Sequence, residues 1–520
     1  MSAASTNPVA AADVAATPVE QRGLLTIAVM LATIMQILDT TIANVALPHM
    51  QTSLGATADT VTWVLTSYIV ASAIAIPVTG WLADRFGSRN LFLAAVAGFV
   101  IASMLCGIAT SLGEMVIFRV FQGIAAAFIN PLSQTVMMDI NPPSRQARAM
   151  AVWGMGIMVG PILGPVLGGW LTDNFNWRWC FYVNVPFGII TFAMMWLLLP
   201  AKPLRPRRFD IFGFALLALA VSCFQIMLDR GQQLDWFDSW EVRIEAGVAL
   251  AAAWMFIVHM VTGKHPMFDR ELFANRNMIT ALFFMVVIGV IMFATMALLP
   301  PMLQRIWDYP VIDAGLLLAP RGVGVLATMW VAGQLMGKVD PRWLVGTGMA
   351  IAALSLWEMT QWSLGMDYRW IVISGAIQGL GMGLVFMPLN LTAFATLDPK
   401  YRTEGASLLN LFRSIGASAG ISVVTTFLAR NVQTSHSDLV GHITPFSLPS
   451  IDPSASERLA GAGDAVMAAI DAEINRQALM IAYLDDFKMM AIVTMLAVPL
   501  VIFLRRPGKP ADGPQHMMME

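Results

Sequence analysis

Charge is scarce in this 520-residue chain. Asp, Glu, Lys and Arg make up 12% of it, hydrophobic residues 57%, and mean hydropathy is +0.68. Soluble globular domains do not have that balance, so the chain reads as a polytopic membrane protein. The net charge of −2 leaves no basic excess for nucleic acid. Cysteine is nearly absent. Cys106, Cys180 and Cys223 form no CxxC pair, which argues against a disulfide framework or a zinc site. The six histidines show no HExxH or other ligand spacing. No P-loop is present, so ATP is not the driver, and no Ser/His/Asp arrangement points to an enzyme. No cofactor is expected; the proton gradient remains as the energy source. Residues 1–22 are rich in Ala, Thr and Pro, and are expected to be a disordered cytoplasmic tail. They lack the basic and short apolar regions of a cleaved signal, so the first span is expected to stay as an anchor.

Long apolar runs are abundant. A helix crosses the roughly 30 Å hydrocarbon core in about 20 residues. Fourteen stretches qualify: 24–47, 61–82, 90–109, 114–138, 148–170, 180–200, 210–228, 243–262, 278–300, 314–336, 343–362, 370–396, 404–429 and 486–504. Lys and Arg concentrate in alternate connections. One set holds Arg85, Arg89, Arg145, Arg148, Lys202, Arg205, Arg207 and Arg208 among others; the intervening loops and their edges hold Arg178, Arg230, Arg243, Arg305 and Arg369. The positive-inside rule then places both termini in the cytoplasm.

The chain repeats itself. Gly80 to Arg89, Gly-Trp-Leu-Ala-Asp-Arg-Phe-Gly-Ser-Arg, follows span 2, and Gly333 to Arg342 follows span 10. Gln122-Gly123 with Pro131-Leu132 in span 4 is echoed by Gln378-Gly379 with Pro388-Leu389 in span 12. Span n therefore matches span n+8. The expected division is a tail at 1–22, a six-helix half at 23–200, two linker helices at 201–277, a second half at 278–504 and a cytoplasmic tail at 505–520. A long polar segment, 430–485, lies outside before the last span. It holds a Pro/Ser-rich stretch (Pro445 to Ser456) and an expected helix from Glu457 to Asp486. It reads as a solvated loop or as a docking surface for an extracytoplasmic partner.

Asp39 lies roughly 23 Å into the first span, counted at 1.5 Å per residue. A carboxylate at such depth faces a cavity or a partner rather than lipid, and is a candidate proton site. Arg119, in the same outer half on span 4, is its expected partner; a purely structural ion pair is the other reading. Gly80, Asp84, Arg85, Gly87 and Arg89 form a tight turn, read as a charge latch between the halves or as a basic loop that sets topology. Gly337 replaces the Asp in the second copy. Gly156, Gly160, Gly164 and Gly168 recur every fourth residue in span 5, with Pro161, Pro165 and Gly169 beside them. Such a stripe allows another helix close approach, and the prolines are expected to bend the span. The stripe is expected to shape the contact between halves. Gln36, Gln122, Asn130, Gln378, Asn390 and Arg413 are substrate-cavity candidates or interhelical hydrogen-bond partners. Arg321 is a second intramembrane cation; Asp139 and Glu358 read as interfacial.

The GxxxGPxxGPxxGG run resembles the antiporter motif of drug:proton antiporters of the major facilitator superfamily. Leu38 to Pro48, the 80–89 turn, Arg119-x-x-Gln-Gly, Trp177 to Gly188 and Ile226 to Trp236 also resemble signatures of its fourteen-span, EmrB-type members. The resemblance covers residues 22–504. It implies an all-α major facilitator fold, two six-helix halves plus two inserted helices. It implies proton-driven export of hydrophobic or amphipathic toxic compounds across a bacterial inner membrane. By analogy Asp39 and Arg119 couple the proton, and 80–89 is a gating loop. It also implies an EmrA-type periplasmic adaptor and a TolC-type outer-membrane channel as partners. A dedicated exporter of a metabolite, fatty acid or siderophore, an importer of the same fold, and a non-transporting receptor remain as alternatives.

Overall fold

The computed structural model describes residues 13–205, 208–336, 338–442 and 463–504. Fourteen long helices follow one another among them: α1 Arg22–Ser53, α2 Trp63–Phe86, α3 Ser88–Ile108, α4 Leu112–Asp139, α5 Pro143–Asn174, α6 Trp179–Leu198, α7 Ile211–Arg230, α8 Trp240–Thr262, α9 Arg276–Ile306, α10 Val311–Leu335, α11 Pro341–Met359, α12 Tyr368–Ala395, α13 Arg402–His442 and α14 Gly463–Ala497. Thirteen are long and apolar enough to cross a membrane; α11 carries Arg342 and Glu358 near its ends, which dilutes it. Local chemistry starts many of them. Ser111, Asp210, Ser239, Asn275, Asp340 and Asp367 each accept a hydrogen bond from a first-turn backbone N–H of α4, α7, α8, α9, α11 and α12.

The two halves pack alike. In the first, α1 packs on α5 and α6, and α4 on α2 and α3; in the second, α9 packs on α13 and α14, and α12 on α10 and α11. That is the n+8 relation expected from the repeats. The halves meet where α5 runs along α10 and where α13 lies against α2 and α4. Gly80 and Gly333 serve these two seams in turn. A Cβ on Gly80 would lie 2.5 Å from Glu404 Cγ of α13, and one on Gly333 would lie 3.1 Å from Ala151 Cβ of α5. The inserted helices α7 and α8 pack on each other, and α7 wedges between α2 and α13. Gln225 donates to Ser418 Oγ (2.7 Å), Ser422 donates to the Leu228 carbonyl (2.6 Å) and Thr66 donates to Asp229.

Two expectations change. The segment 430–485 is not one loop: α13 and α14 run on as helices to His442 and from Gly463. At 41 and 35 residues they are about 60 and 50 Å long, well beyond the roughly 30 Å apolar core. His436 and Asp471 bridge them at 3.3 Å. The Pro/Ser-rich stretch, the expected helix start at Glu457, Gly337 and the 505–520 tail lie outside the described residues. The tail expected to be disordered is pinned from residue 13 on. Asp13 accepts from Ser144 N (3.0 Å) and Oγ (2.6 Å), which holds its carboxyl below the usual range, and Thr17 N donates to the Asp139 carbonyl (2.8 Å). Asp139, the last residue of α4, is buried at 4% exposure.

Candidate functional site

Asp39 is 1% exposed, and α1 holds it inside the first half. Three donors saturate it. Arg119 Nη1 reaches Oδ2 at 2.7 Å, while Gln122 Nε2 (2.8 Å) and Asn184 Nδ2 (2.7 Å) reach Oδ1. Arg119 is fully buried. Its Nε donates to the Val64 carbonyl at 3.0 Å, its Nη1 also to Gln122 Oε1 at 2.8 Å, and its guanidinium carbon stands 4.2 Å from the Tyr68 ring centroid. The neighbouring ring adds a cation–π attraction at a fully buried guanidinium. Asn184 also donates to Ser103 Oγ at 3.0 Å. Five helices of one half, α1, α2, α3, α4 and α6, therefore converge on one carboxylate. Asn184 belongs to the Trp177 to Gly188 signature but was given no role from sequence; it lies near the start of α6.

The glycine stripe serves the same carboxylate. Added Cβ atoms would lie 3.1 Å from Met30 Cε at Gly156, 2.6 Å from Ile37 Cγ2 at Gly160, 2.6 Å from Thr41 Cβ at Gly164 and 3.3 Å from Val45 Cβ at Gly168. All four neighbours lie on α1, so the stripe packs within the first half and not between halves, as had been expected. Thr41 Oγ1 donates to the Gly160 carbonyl at 3.2 Å, and the contact at Gly160 reaches the backbone N of Leu38, next to Asp39. Gly169 faces open space, and Pro165 lines the central cavity. The Pro161 side chain lies outside the described residues. The second half repeats the device, a point missed in the sequence. Cβ atoms on Gly416 and Gly420 of α13 would each lie 2.7 Å from a Cα of α9, Val286 and Val290.

The face bearing the α2–α3, α4–α5 and α12–α13 turns is closed; it is called the basic face below. Arg402 of α13 donates to Asp139 Oδ1 of α4 at 2.8 Å, and Lys202 pairs with the other oxygen. Deeper, Gln134 donates to Asn390 at 2.6 Å and accepts from Asn410 at 3.3 Å, again across the halves. The 80–89 turn contributes Gly80 to this closure. Gly87 adopts φ +88°, a left-handed conformation that suits glycine. Arg89 instead stays in its own half, donating to the Trp196 carbonyl at 2.7 Å. Arg85 is exposed, and Asp84 accepts through its backbone carbonyl from Arg205 N at 3.0 Å. Asp139–Arg402 is thus a charge pair that crosses the halves.

Towards the opposite face a cavity of about 710 Å³ opens between α1 and α5 of one half and α9, α10 and α12 of the other. Thr41, Asn44, Thr295, Gln304, Arg305 and Arg321 are its polar residues; Met158, Met292, Met296, Met329, Met382 and Phe386 supply much of its apolar wall. Gln36, Gln122, Asn130, Gln378, Asn390 and Arg413 are not in that lining. Asn130 donates to Gln36 (2.7 Å), Gln36 to the Tyr68 hydroxyl (3.2 Å) and Gln378 to Thr295 (3.3 Å), so these act as bonds between helices.

The Major Facilitator Superfamily sequence profile matches residues 29–421. The chain belongs to the major facilitator superfamily. Within it, the chain is 37% identical over 496 residues to the multidrug export protein EmrB of Escherichia coli, covering 94% of this chain and 96% of that one. It is 36% identical over 500 residues to the fatty acid resistance protein FarB of Neisseria gonorrhoeae, covering 95% and 97%. It thus groups with the EmrB-type exporters. The human organic anion transporter MFSD10 superposes with a TM-score of 0.60 over 92% of this chain at 13% identity, a likeness of fold alone. In this superfamily member, then, the paired half-repeats are the six-helix halves, and the cavity lies at the seam between them.

Proposed function

We propose that this multi-pass membrane protein exports hydrophobic or amphipathic toxic compounds from the cytoplasm, exchanging them for protons by alternating access. The single observation that carries this reading is the buried Asp39, saturated by three donors from one half, behind the helix whose Thr41 and Asn44 line the cavity. Protonation of Asp39 removes the negative partner of Arg119. The pair that holds α1 against α4 then weakens, and α1 forms one wall of the cavity. Proton occupancy and cavity shape are linked through one helix. The basic face is cytoplasmic in this reading, both termini lie inside and the membrane is the inner membrane. The cavity then opens outward, the side from which an entering proton comes.

The pump works with an EmrA-type periplasmic adaptor and a TolC-type channel in this proposal. The α13–α14 hairpin, extending past the apolar core on the periplasmic side, supports such an arrangement. Asp39→Asn is expected to abolish proton-coupled efflux from inverted vesicles while the chain still inserts; full activity would overturn the assignment. A deletion strain challenged side by side with lipophilic weak acids, lipophilic cations and fatty acids sets the substrate range. Unchanged susceptibility to all three would remove the export reading.

A further inference from the structure

A second cavity, of about 1060 Å³, lies away from the central one, where the inserted helices meet the second half. α8 packs on α7 and α7 on α13, which leaves a groove between α8 and α13. Val221 and Phe224 of α7 form its back, Ala249 and Ala253 of α8 one side, and Leu408 and Phe412 of α13 the other. Phe268 and Phe273, in the connection from α8 to α9, line its basic-face end. Along α8 the lining runs from Ala246 to Val261, about 22 Å at 1.5 Å per residue. The groove therefore passes the middle of the roughly 30 Å apolar core. Its volume stands at the upper end of small-molecule sites.

Arg270 is the single polar residue in that lining. A buried water needs about two to four polar partners, and the wall above Arg270 offers none. An empty groove of this size would forfeit the dispersion contacts of the side chains around it. The rim is open sideways: Leu250, Ile257 and Val261 are exposed, and in a membrane they meet hydrocarbon. The charge sits at the basic-face end. Arg270 is exposed; its Nε donates to the Met260 carbonyl at 3.2 Å and its Nη2 to the Gly263 carbonyl at 2.8 Å. These bonds fix the guanidinium at the end of α8, and no carboxylate pairs with it among the described residues. The acids beside it are engaged elsewhere. Asp269 accepts from the Tyr401 hydroxyl at 2.7 Å, and Glu271 faces Lys400 at 4.0 Å.

We infer that this groove holds an anionic phospholipid from the leaflet on the basic-face side, one tail between α8 and α13 and the phosphate on Arg270. The site is separate from the central cavity and does not depend on what is exported. A zwitterionic head group brings its own ammonium to the same guanidinium, so the net anion is preferred. The tail supplies the side of the contact that the inserted helices leave open. α13 also carries Arg402 and Asn410, which bond to the first half across the seam. A tail against Leu408 and Phe412 therefore braces α13 in the arrangement that closes the basic face.

The test uses the full-length chain, delipidated in detergent, and native mass spectrometry, which counts retained lipids and copies of the chain together. Dioleoyl phosphatidylglycerol and dioleoyl phosphatidylcholine carry the same tails and differ in head-group charge. The first is expected to bind at least about tenfold more tightly, the worth of one charge-assisted hydrogen bond. Ala253→Phe fills the groove without removing a bond. It should weaken both lipids about tenfold, as if two buried methylenes were displaced. Ala251→Phe, on the exposed face of α8, should change neither. Arg270→Gln should bring phosphatidylglycerol down to the level of phosphatidylcholine, and Arg270→Lys should keep most of the preference. Equal binding of the two lipids by the unaltered chain would overturn the proposal. So would Ala253→Phe binding phosphatidylglycerol as the unaltered chain does. A dimer that Ala253→Phe dissociates would also overturn it and give the groove to a second copy of the chain. Arg270 caps α8, so should Arg270→Gln fail to fold, the head-group comparison and Ala253→Phe decide.

Discussion

The two halves share their helix packing and differ in what their buried charges meet. In the first half Asp39 and Arg119 close on each other, and Gln122 and Asn184 also donate to the carboxylate. In the second half Arg321 and Arg413 have no acid, and Asp486 of α14, fully buried, has no hydrogen-bond partner on either carboxylate oxygen among the described residues. A repeat preserves the backbone packing because that depends on small residues at helix crossings, such as Gly160 and Gly164 in one half and Gly416 and Gly420 in the other. It does not preserve charge pairing, because that depends on single side chains. One half is thereby free to manage the proton and the other to receive the cargo.

Breaking the closed pair is expected to have the largest effect on stability. Arg119→Gln leaves Asp39 buried without its cation and should destabilise the first half by about 3–5 kcal/mol. Arg413→Gln, with no acid to strand, should cost about 1 kcal/mol. Thermal unfolding of the purified variants reads both, and equal losses would erase the contrast between halves. Next is the seam where the halves meet. Arg402→Ala removes a charge-assisted bond worth about 1.5–3 kcal/mol to closure of the basic face. Maleimide labelling of an Asn390→Cys reporter in a cysteine-free background should then rise several-fold. Arg89→Ala, whose partner is Trp196 in its own half, should leave labelling unchanged.

The glycine crossings sharpen the comparison from the other side, since here the halves should behave alike. Gly164→Val and Gly416→Val each force a side chain into the facing helix and should cost about 1–3 kcal/mol. Gly169→Ala, facing open space, should stay within about 0.5 kcal/mol. Unequal costs at Gly164 and Gly416 would show that the stripe is specific to the first half. A small effect is also expected at Asp486. Its carboxylate meets no cation or donor among the described residues, so Asp486→Asn should shift stability by about 1 kcal/mol or less and spare efflux. Loss of efflux in that variant would give the second half a proton site of its own.

Much of this was legible in the chain. Helix number came from apolar run length, and the n+8 relation from Gln122-Gly123 and Gln378-Gly379, because both are local patterns. Asp39 and Arg119 were paired from depth alone, since a buried carboxylate needs a cation and few were available. The stripe at Gly156 to Gly168 was legible as a close crossing but not its partner. Periodicity says that a helix face is thin and leaves open what lies on it, and α1 rather than α10 fills that place. The partner of Asp139 was not legible: Arg402, more than 260 residues further on, donates to it and closes over it. Gln36, Asn130 and Gln378 read equally as cavity residues or interhelical partners, because periodicity gives no partner; each makes a hydrogen bond to a neighbouring helix.

The sequence by itself determined that the chain is a helical membrane protein, built on a repeat, with one buried acid and one buried base at matching depth. Composition, run length and spacing settle these because they act along a single helix. Only the tertiary structure decided that the glycine stripe braces Asp39's helix, that Asp139 and Arg402 lock the basic face, and that the central cavity holds arginines without acids. Those facts depend on which helix faces meet, and that is set by the packing of all fourteen helices together.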